Sequence, residues 1–238
     1  MARLRALPDY WRNALAIGAA TFVYGLSFGV LAVGAGLSVA QTCAMSLLVF
    51  SGASQFAVVG VVANGGATGP AIANALLLGA RNTAYGFVVA PLLPGGRARR
   101  ALLAQVVVDE SVAMSRAQDD PVEARRAFLS TGAAIYVLWN LGTLAGALAG
   151  DVIGDPKDLG LDAMFPAAFL ALLAPQLRQP GAWRAAVAGA LIALALVPLV
   201  PAGIPVLAAS LGVLAAGRTA LTAGEPSPDP AAQTDRAP

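Results

Sequence analysis

Over residues 45–62 an apolar run is interrupted at its centre by Ser51-Gly52-Ala53-Ser54-Gln55. Two hydroxyls, an amide and a flexible glycine are costly inside a bilayer unless protein groups or cavity water satisfy them. The break therefore predicts a place where something polar meets the chain. The rest of the composition supplies the bilayer. Of 238 residues, 58% are hydrophobic and 12% charged, an apolar excess that a soluble domain of this size does not need. At about 20 residues per span, the length allows roughly six to eight membrane segments. The expected fold is all-α: a polytopic membrane helix bundle with some segments broken or re-entrant. Twenty-six glycines beside 6% aromatics fit helices packed through small residues, and the long Ala/Leu/Val runs argue against a transmembrane β-barrel.

Several chemistries are excluded. The chain has no histidine and one cysteine, Cys43, so it makes no histidine-based triad, metal cluster or proton relay and no internal disulfide. A protease built on Gly52-Ala53-Ser54 lacks a base, because Lys157 is the single lysine and sits in a hydrophilic stretch. A scattered net charge of +2 is no nucleic-acid footprint. Neither an enzyme nor a cofactor or metal site is expected.

Along the chain, residues 1–12 read as a cytoplasmic lead, 13–218 as one membrane domain and 219–238 as a disordered tail. The first span covers 13–37, with Gly18, Gly25, Gly29 and Gly36 on one stripe and Tyr24, Ser27 and Phe28 beside it. The second, 41–62, carries the break. The third, 70–93, places Asn74, Arg81 and Tyr85 on one face, and a mid-span arginine normally faces protein or water. A shorter segment, 101–118, holds Gln105, Asp109 and Arg116 on one stripe with Glu110 pointing elsewhere. It reads as a helix packed inside the bundle, re-entrant or interfacial. Spans follow at 127–149 (with a Gly142, Gly146, Gly150 ladder), at 160–177 opening with Asp162, at 183–200 and at 203–216.

Arginine placement puts Arg3, Arg5, Arg12, Arg125, Arg126, Arg178, Arg184 and Arg218 on the cytoplasmic side, with both termini. Three full early spans would leave Arg97, Arg99 and Arg100 outside. A re-entrant second segment and a non-spanning 101–118 helix remove the conflict; eight full spans keep it.

Ordered motifs then suggest a relationship. Phe22-x-Tyr24-Gly25-x-Ser27-Phe28-Gly29, the run Phe50-Ser51-Gly52-Ala53-Ser54-Gln55-Phe56, Ala80-Arg81-Asn82 with Tyr85-Gly86, Val108-Asp109-Glu110-Ser111, and Asp162-Ala163-Met164-Phe165-Pro166 together resemble the AzlC family of branched-chain amino acid permeases. The resemblance spans about residues 14–216. It implies an exporter of valine, leucine or isoleucine in the bacterial inner membrane, working with a small AzlD-type membrane subunit. Asn82 stands where the family usually has a histidine, so no role resting on imidazole carries over. A non-transporting scaffold and a passive channel are the alternatives.

A zwitterionic amino acid needs donors for its carboxylate, acceptors for its ammonium and an apolar wall for its side chain. Tyr24, Ser51, Gly52, Ser54, Gln55, Asn74, Arg81 and Tyr85 are the candidate substrate ligands, and helix ends at the break would aim partial charges at the substrate. Hydrogen-bond glue between helices is the competing role for Ser51 to Gln55. Arg81 can pair with substrate or with Asp109 or Asp162. Asp109, Glu110 and Asp162 are candidates for proton coupling or structural ion pairs.

Overall fold

The computed structural model describes residues 9–153, 170, 173, 174 and 176–216. The chain divides into two compact units, Met1–Ala168 and Phe169–Pro238. The described residues are helix, turn and link, with no strand among them.

The first unit is built on two long helices, α1 (Asp9–Gly34) and α7 (Pro121–Ile153). At 1.5 Å per residue they measure about 39 and 50 Å, and both are long and apolar enough to cross a membrane. Glycine allows their backbones to touch. A Cβ at Gly29 would collide with the Thr143 carbonyl, at Gly25 with that of Trp139, at Gly142 with that of Phe22 and at Gly146 with that of Leu26. Such close approach is the glycine contribution to membrane helix pairing. Contact positions rise together, Gly18 meeting Ala134 and Gly29 meeting Thr143, so the helices run parallel. Both N-termini lie on one face, the base. Gly36, expected on the packing stripe, lies beyond the helix end instead. It has φ 95° and nothing near its missing Cβ, because it makes the turn out of α1 that a side chain would strain.

That turn feeds α2 (Val39–Leu48), opened by a capping box in which Ser38 and Gln41 satisfy each other's backbone N–H groups. The helix descends antiparallel to α7: Ser46 donates to Thr143, and further on Phe50 packs edge-on against Tyr136. It stops near the middle of α7. After the non-helical residues 49–51, α3 (Gly52–Ala63) begins and α4 (Thr68–Val89) follows a four-residue link. Ser54 bonds the Ala75 carbonyl, while Val89 is buried with Phe128 of early α7. Thus α4 descends to the base, and α3 climbs beside it back to the face it came from. The broken second segment is a re-entrant hairpin whose tip sits at mid-depth.

A second hairpin enters from the base. A 3-10 turn (Ala90–Leu92) and Gly95, at φ 96°, reverse the chain into α5 (Arg97–Ala104). Residues 105–108 form its tip, and α6 (Asp109–Arg116) descends along α7. Val106 meets Gly132, while Val107 and Val112 join Val89 and Phe128 in a buried cluster. Asp120 then caps α7, its Oδ1 accepting the Val122 and Glu123 N–H groups at 2.9 Å. The single 101–118 helix expected from sequence is therefore two short ones. The stripe of Gln105, Asp109 and Arg116 dissolves, since the tip interrupts the 3.6-residue period between Gln105 and Asp109.

In the second unit the helix Ala182–Leu196 lies antiparallel to Ile204–Ala209 and its 3-10 continuation Ser210–Ala216. Gly189 meets the Ala209 carbonyl, and Gly212 meets Gly189 and Ala185. Gly203, Pro198 and Pro201 build the turn between them, and Pro205 sits in the first turn of the second helix. Most of the 160–177 segment, Asp162 included, and the 219–238 tail lie outside the described residues.

Gly29→Leu or Gly146→Leu sets a side chain against backbone that cannot swing away. Overpacking of about 1–3 kcal/mol or more follows, read as a clear fall in the thermal midpoint of the detergent-solubilised protein. Gly69→Ala, with open space at its Cβ, leaves the midpoint unchanged. The topology also predicts that Arg99→Cys, in a Cys43→Ala background, is labelled by an impermeant thiol reagent from the same side as the N-terminus. Labelling from the opposite side would remove the second hairpin as drawn.

Candidate functional site

A helix ending inside a membrane leaves its last four carbonyls without partners. At the end of α2 each one is met. The Met45 carbonyl takes the Val49 N–H at 2.8 Å. Gln55 reaches back from α3, its Nε2 donating to Val49 at 2.6 Å and to Ser46 at 3.4 Å. Gln105, from the tip of the second hairpin, donates to Leu47 at 2.8 Å and Leu48 at 3.3 Å, and the Tyr136 hydroxyl adds a bond to Leu47 at 3.2 Å. The two tips are thus joined through one glutamine amide.

Gln55 is fully buried, and its remaining polar atom, Oε1, accepts the indole N–H of Trp139 at 3.0 Å. Around it Phe28, Phe56 and Trp139 close an aromatic wedge with ring centroids 5.7–6.3 Å apart. Gly52 is packed under the Trp139 ring, where a Cβ would lie 2.9 Å from it. Gln55 and Gly52 therefore face the protein.

The start of α3 differs. Its first hydrogen-bonded N–H is that of Gln55, to the Ser51 carbonyl, and Ser51 makes no side-chain cap. The N–H groups of Gly52, Ala53 and Ser54 form a helix N-terminus with its partial positive charge. Ser51 and Ser54 stand beside it, their hydroxyls 3.0 Å apart and Ser54 donating to Ala75 at 2.9 Å. Both line a cleft of about 960 Å³ between the two tips and α4. Its walls are otherwise largely apolar or small: Met45, Val49, Phe50, Val58, Ile72, Leu76 and Phe87, with Ala75, Gly79 and Gly86 giving α4 a flat face. The second hairpin contributes Ala104, Gln105 and Val107.

Of the residues expected at a substrate site, the cleft brings together Ser51 and Ser54. Asn74 is buried and donates to the Pro70 carbonyl at 2.8 Å. Tyr24 lies on the exposed surface of α1. Arg81 pairs with Asp109 at 2.8 Å with both side chains partly exposed, and Tyr85 stands beside the same carboxylate. Glu110 is exposed at the first turn of α6.

Two side-chain amides that line the cleft were outside the expected set of substrate ligands. Asn82 lines the cleft, and its Oδ1 is shielded from solvent without a hydrogen-bond partner. Its sequence signal was its place beside Arg81, within the third span. Gln105 signalled itself as an amide in an apolar stretch, but its partners are the backbone carbonyls of Leu47 and Leu48, 58 and 57 residues away.

The family described as AzlC protein matches residues 16–153, which contain both hairpins and α7. A protein of Archaeoglobus fulgidus is 33% identical over 183 residues, covering 75% of this chain and 80% of its own length. One of Helicobacter pylori strain 26695 is 24% identical over 198 residues, covering 82% of this chain and 86% of its own. Both carry the name "uncharacterized membrane protein". No solved structure matches. A family match across more than half of the sequence, over the long glycine-paired helices and both tips, makes this chain a membrane protein that belongs to the AzlC family.

Proposed function

We propose that the chain is the conducting subunit of an ion-coupled exporter of branched-chain amino acids, seated in the bacterial inner membrane with both termini cytoplasmic and paired with a small AzlD-type subunit. The observation that carries this reading is the cleft: a helix N-terminus flanked by two hydroxyls, at mid-depth, inside apolar walls. Discontinuous helices that present half-helix N-termini to anionic groups are a recurrent transporter device. Here the substrate carboxylate lies against the N–H groups opening α3, and Ser51 turns its hydroxyl hydrogen from Ser54 towards it. The ammonium takes Asn82 Oδ1, an acceptor on α4 without a partner, once the amide turns it from its shielded position into the cleft. Val58, Ile72 and Leu76 receive the aliphatic side chain, which rewards apolar area at about 25 cal/mol per Å² and makes no demand for a polar partner.

The Arg81–Asp109 pair supports the coupling step. It joins α4 to the first residue of α6, so protonation of Asp109 would release Arg81 and free the second hairpin. Gln55 and Gly52 act one layer behind, fixing the geometry of the tip.

Cells lacking their own exporters should retain less valine, leucine and isoleucine when the chain and its partner are present, and equal retention with well-inserted protein defeats the reading. In that assay Ser51→Ala removes one hydroxyl contact of about 1 kcal/mol. The apparent KM rises about fivefold while the thermal midpoint stays near wild type, because the bond from Ser54 to Ala75 is kept. Gln55→Leu does the opposite. It orphans the Trp139 N–H and the Ser46 carbonyl, at about 1–3 kcal/mol for each unpaired group, leaves the Val49 carbonyl with the Ser51 N–H alone, and appears first as lost thermal stability. Asp109→Asn should flatten the pH dependence of efflux; an unchanged profile removes Asp109 from coupling.

A further inference from the structure

The helix α5 is the least buried α-helix among the described residues of the first unit. None of its residues is buried, and Leu102 is 76% exposed. Arg97, Arg99 and Arg100 fall in its first four positions, followed by Ala101, Leu102, Leu103 and Ala104. Charge and apolar surface are thus separated along eight residues. The arginines lie at the base, near the start of α7, and the leucines lie one turn deeper, towards the tip. The ion pairs of the described residues, Arg81–Asp109 and Arg126–Glu123, leave all three arginines without a carboxylate partner. Arg100 is held by the Ala90 carbonyl at 2.8 Å, which fixes α5 against the end of α4 and leaves Arg97 and Arg99 facing outward. Guanidinium forks at the headgroup layer, above leucines at acyl-chain depth, match a phosphodiester anion with its chains attached.

We infer that α5 carries a headgroup site for an anionic phospholipid of the leaflet at the base, with Arg97 and Arg99 as its phosphate ligands. Occupancy of that site reaches the centre of the unit along one covalent step. Residue 105 follows directly on α5, and the Gln105 amide bonds the Leu47 and Leu48 carbonyls at the tip of the first hairpin. Lipid that holds α5 against the base also holds this amide on α2. Lipid lost from the site lets α5 lift and uncaps two carbonyls beside the cleft.

The test uses the full chain in neutral detergent, titrated with phosphatidylglycerol, phosphatidylcholine or inorganic phosphate. Phosphatidylglycerol should raise the thermal midpoint, while phosphatidylcholine and free phosphate should not. An equal rise with phosphatidylcholine, or a full rise with free phosphate, overturns a site for anionic lipid. With each arginine contributing about fivefold to affinity, Arg97→Gln with Arg99→Gln should move the lipid titration on the order of 25-fold. Arg125→Gln, exposed elsewhere on the base, should leave it in place; an equal shift there shows diffuse charge and no site. Transmission is read separately by hydrogen exchange across residues 47–55. Phosphatidylglycerol should slow exchange there in the wild type but not in Gln105→Leu, which still binds the lipid. Slowing that persists in Gln105→Leu refutes the route through Gln105. Both readouts are independent of transport, so their failure is distinct from failure of the exporter reading.

Discussion

A helix that stops halfway through a bilayer is tolerated when its terminal carbonyls find donors, and the first unit is arranged around meeting that demand at the end of α2. In water those carbonyls would be hydrated at little cost. In hydrocarbon each unpaired one costs several kcal/mol. The donors come from three places distant in sequence: Gln55 on α3, Gln105 on the second tip and Tyr136 on α7. Trp139 secures Gln55 from the far side. The bonds that permit the break also fix the position of the two hairpins relative to α7.

The two hairpins enter from opposite faces and share a plan. Each follows a helix that runs into a positive-φ glycine, Gly36 or Gly95, with φ 95° and 96°. Each then has a short helix, a tip of three or four residues and a second helix leading to the next long one. The sequence α1, hairpin, α4, hairpin, α7 thus presents one tip from each side at the same depth, the arrangement in which inverted transporter repeats place their binding sites. The tips differ in charge. The first is neutral and offers hydroxyls and N–H groups, whereas the second opens α6 with Asp109 and Glu110, where carboxylates complement the helix N-terminus. In the proposed exporter, binding and coupling fall on different hairpins that touch through Gln105.

The fold class was legible because membrane helices announce themselves by length and composition, and the break at Ser51 because polar residues inside an apolar run are expensive. The glycine ladders were legible for the same local reason. The arginine conflict went further, since a re-entrant second segment was one of the two resolutions that charge placement left open. What escaped was everything decided by backbone acceptors at long range. A glutamine that caps a carbonyl leaves no partner residue to find in the sequence, so Gln55 read as a cavity ligand and Gln105 as part of a helical stripe. Asn82 was passed over because Arg81, its neighbour, carries the larger charge and drew the assignment.

Hydrogen-bond capacity separates the residues of the break more sharply than polarity does. A glutamine amide offers two N–H donors and one carbonyl acceptor. In Gln55 both kinds of group are engaged, to Val49, Ser46 and Trp139, so binding a substrate there would first break bonds that hold the tip. The Ser51 hydroxyl instead faces a second hydroxyl, and rotation of one C–O bond redirects its hydrogen without uncovering a backbone group. Ser54 keeps its bond to Ala75 throughout. The most polar side chain of the break is thus the one bound into the scaffold, and the small residue at the end of the helix is the one free to change partners.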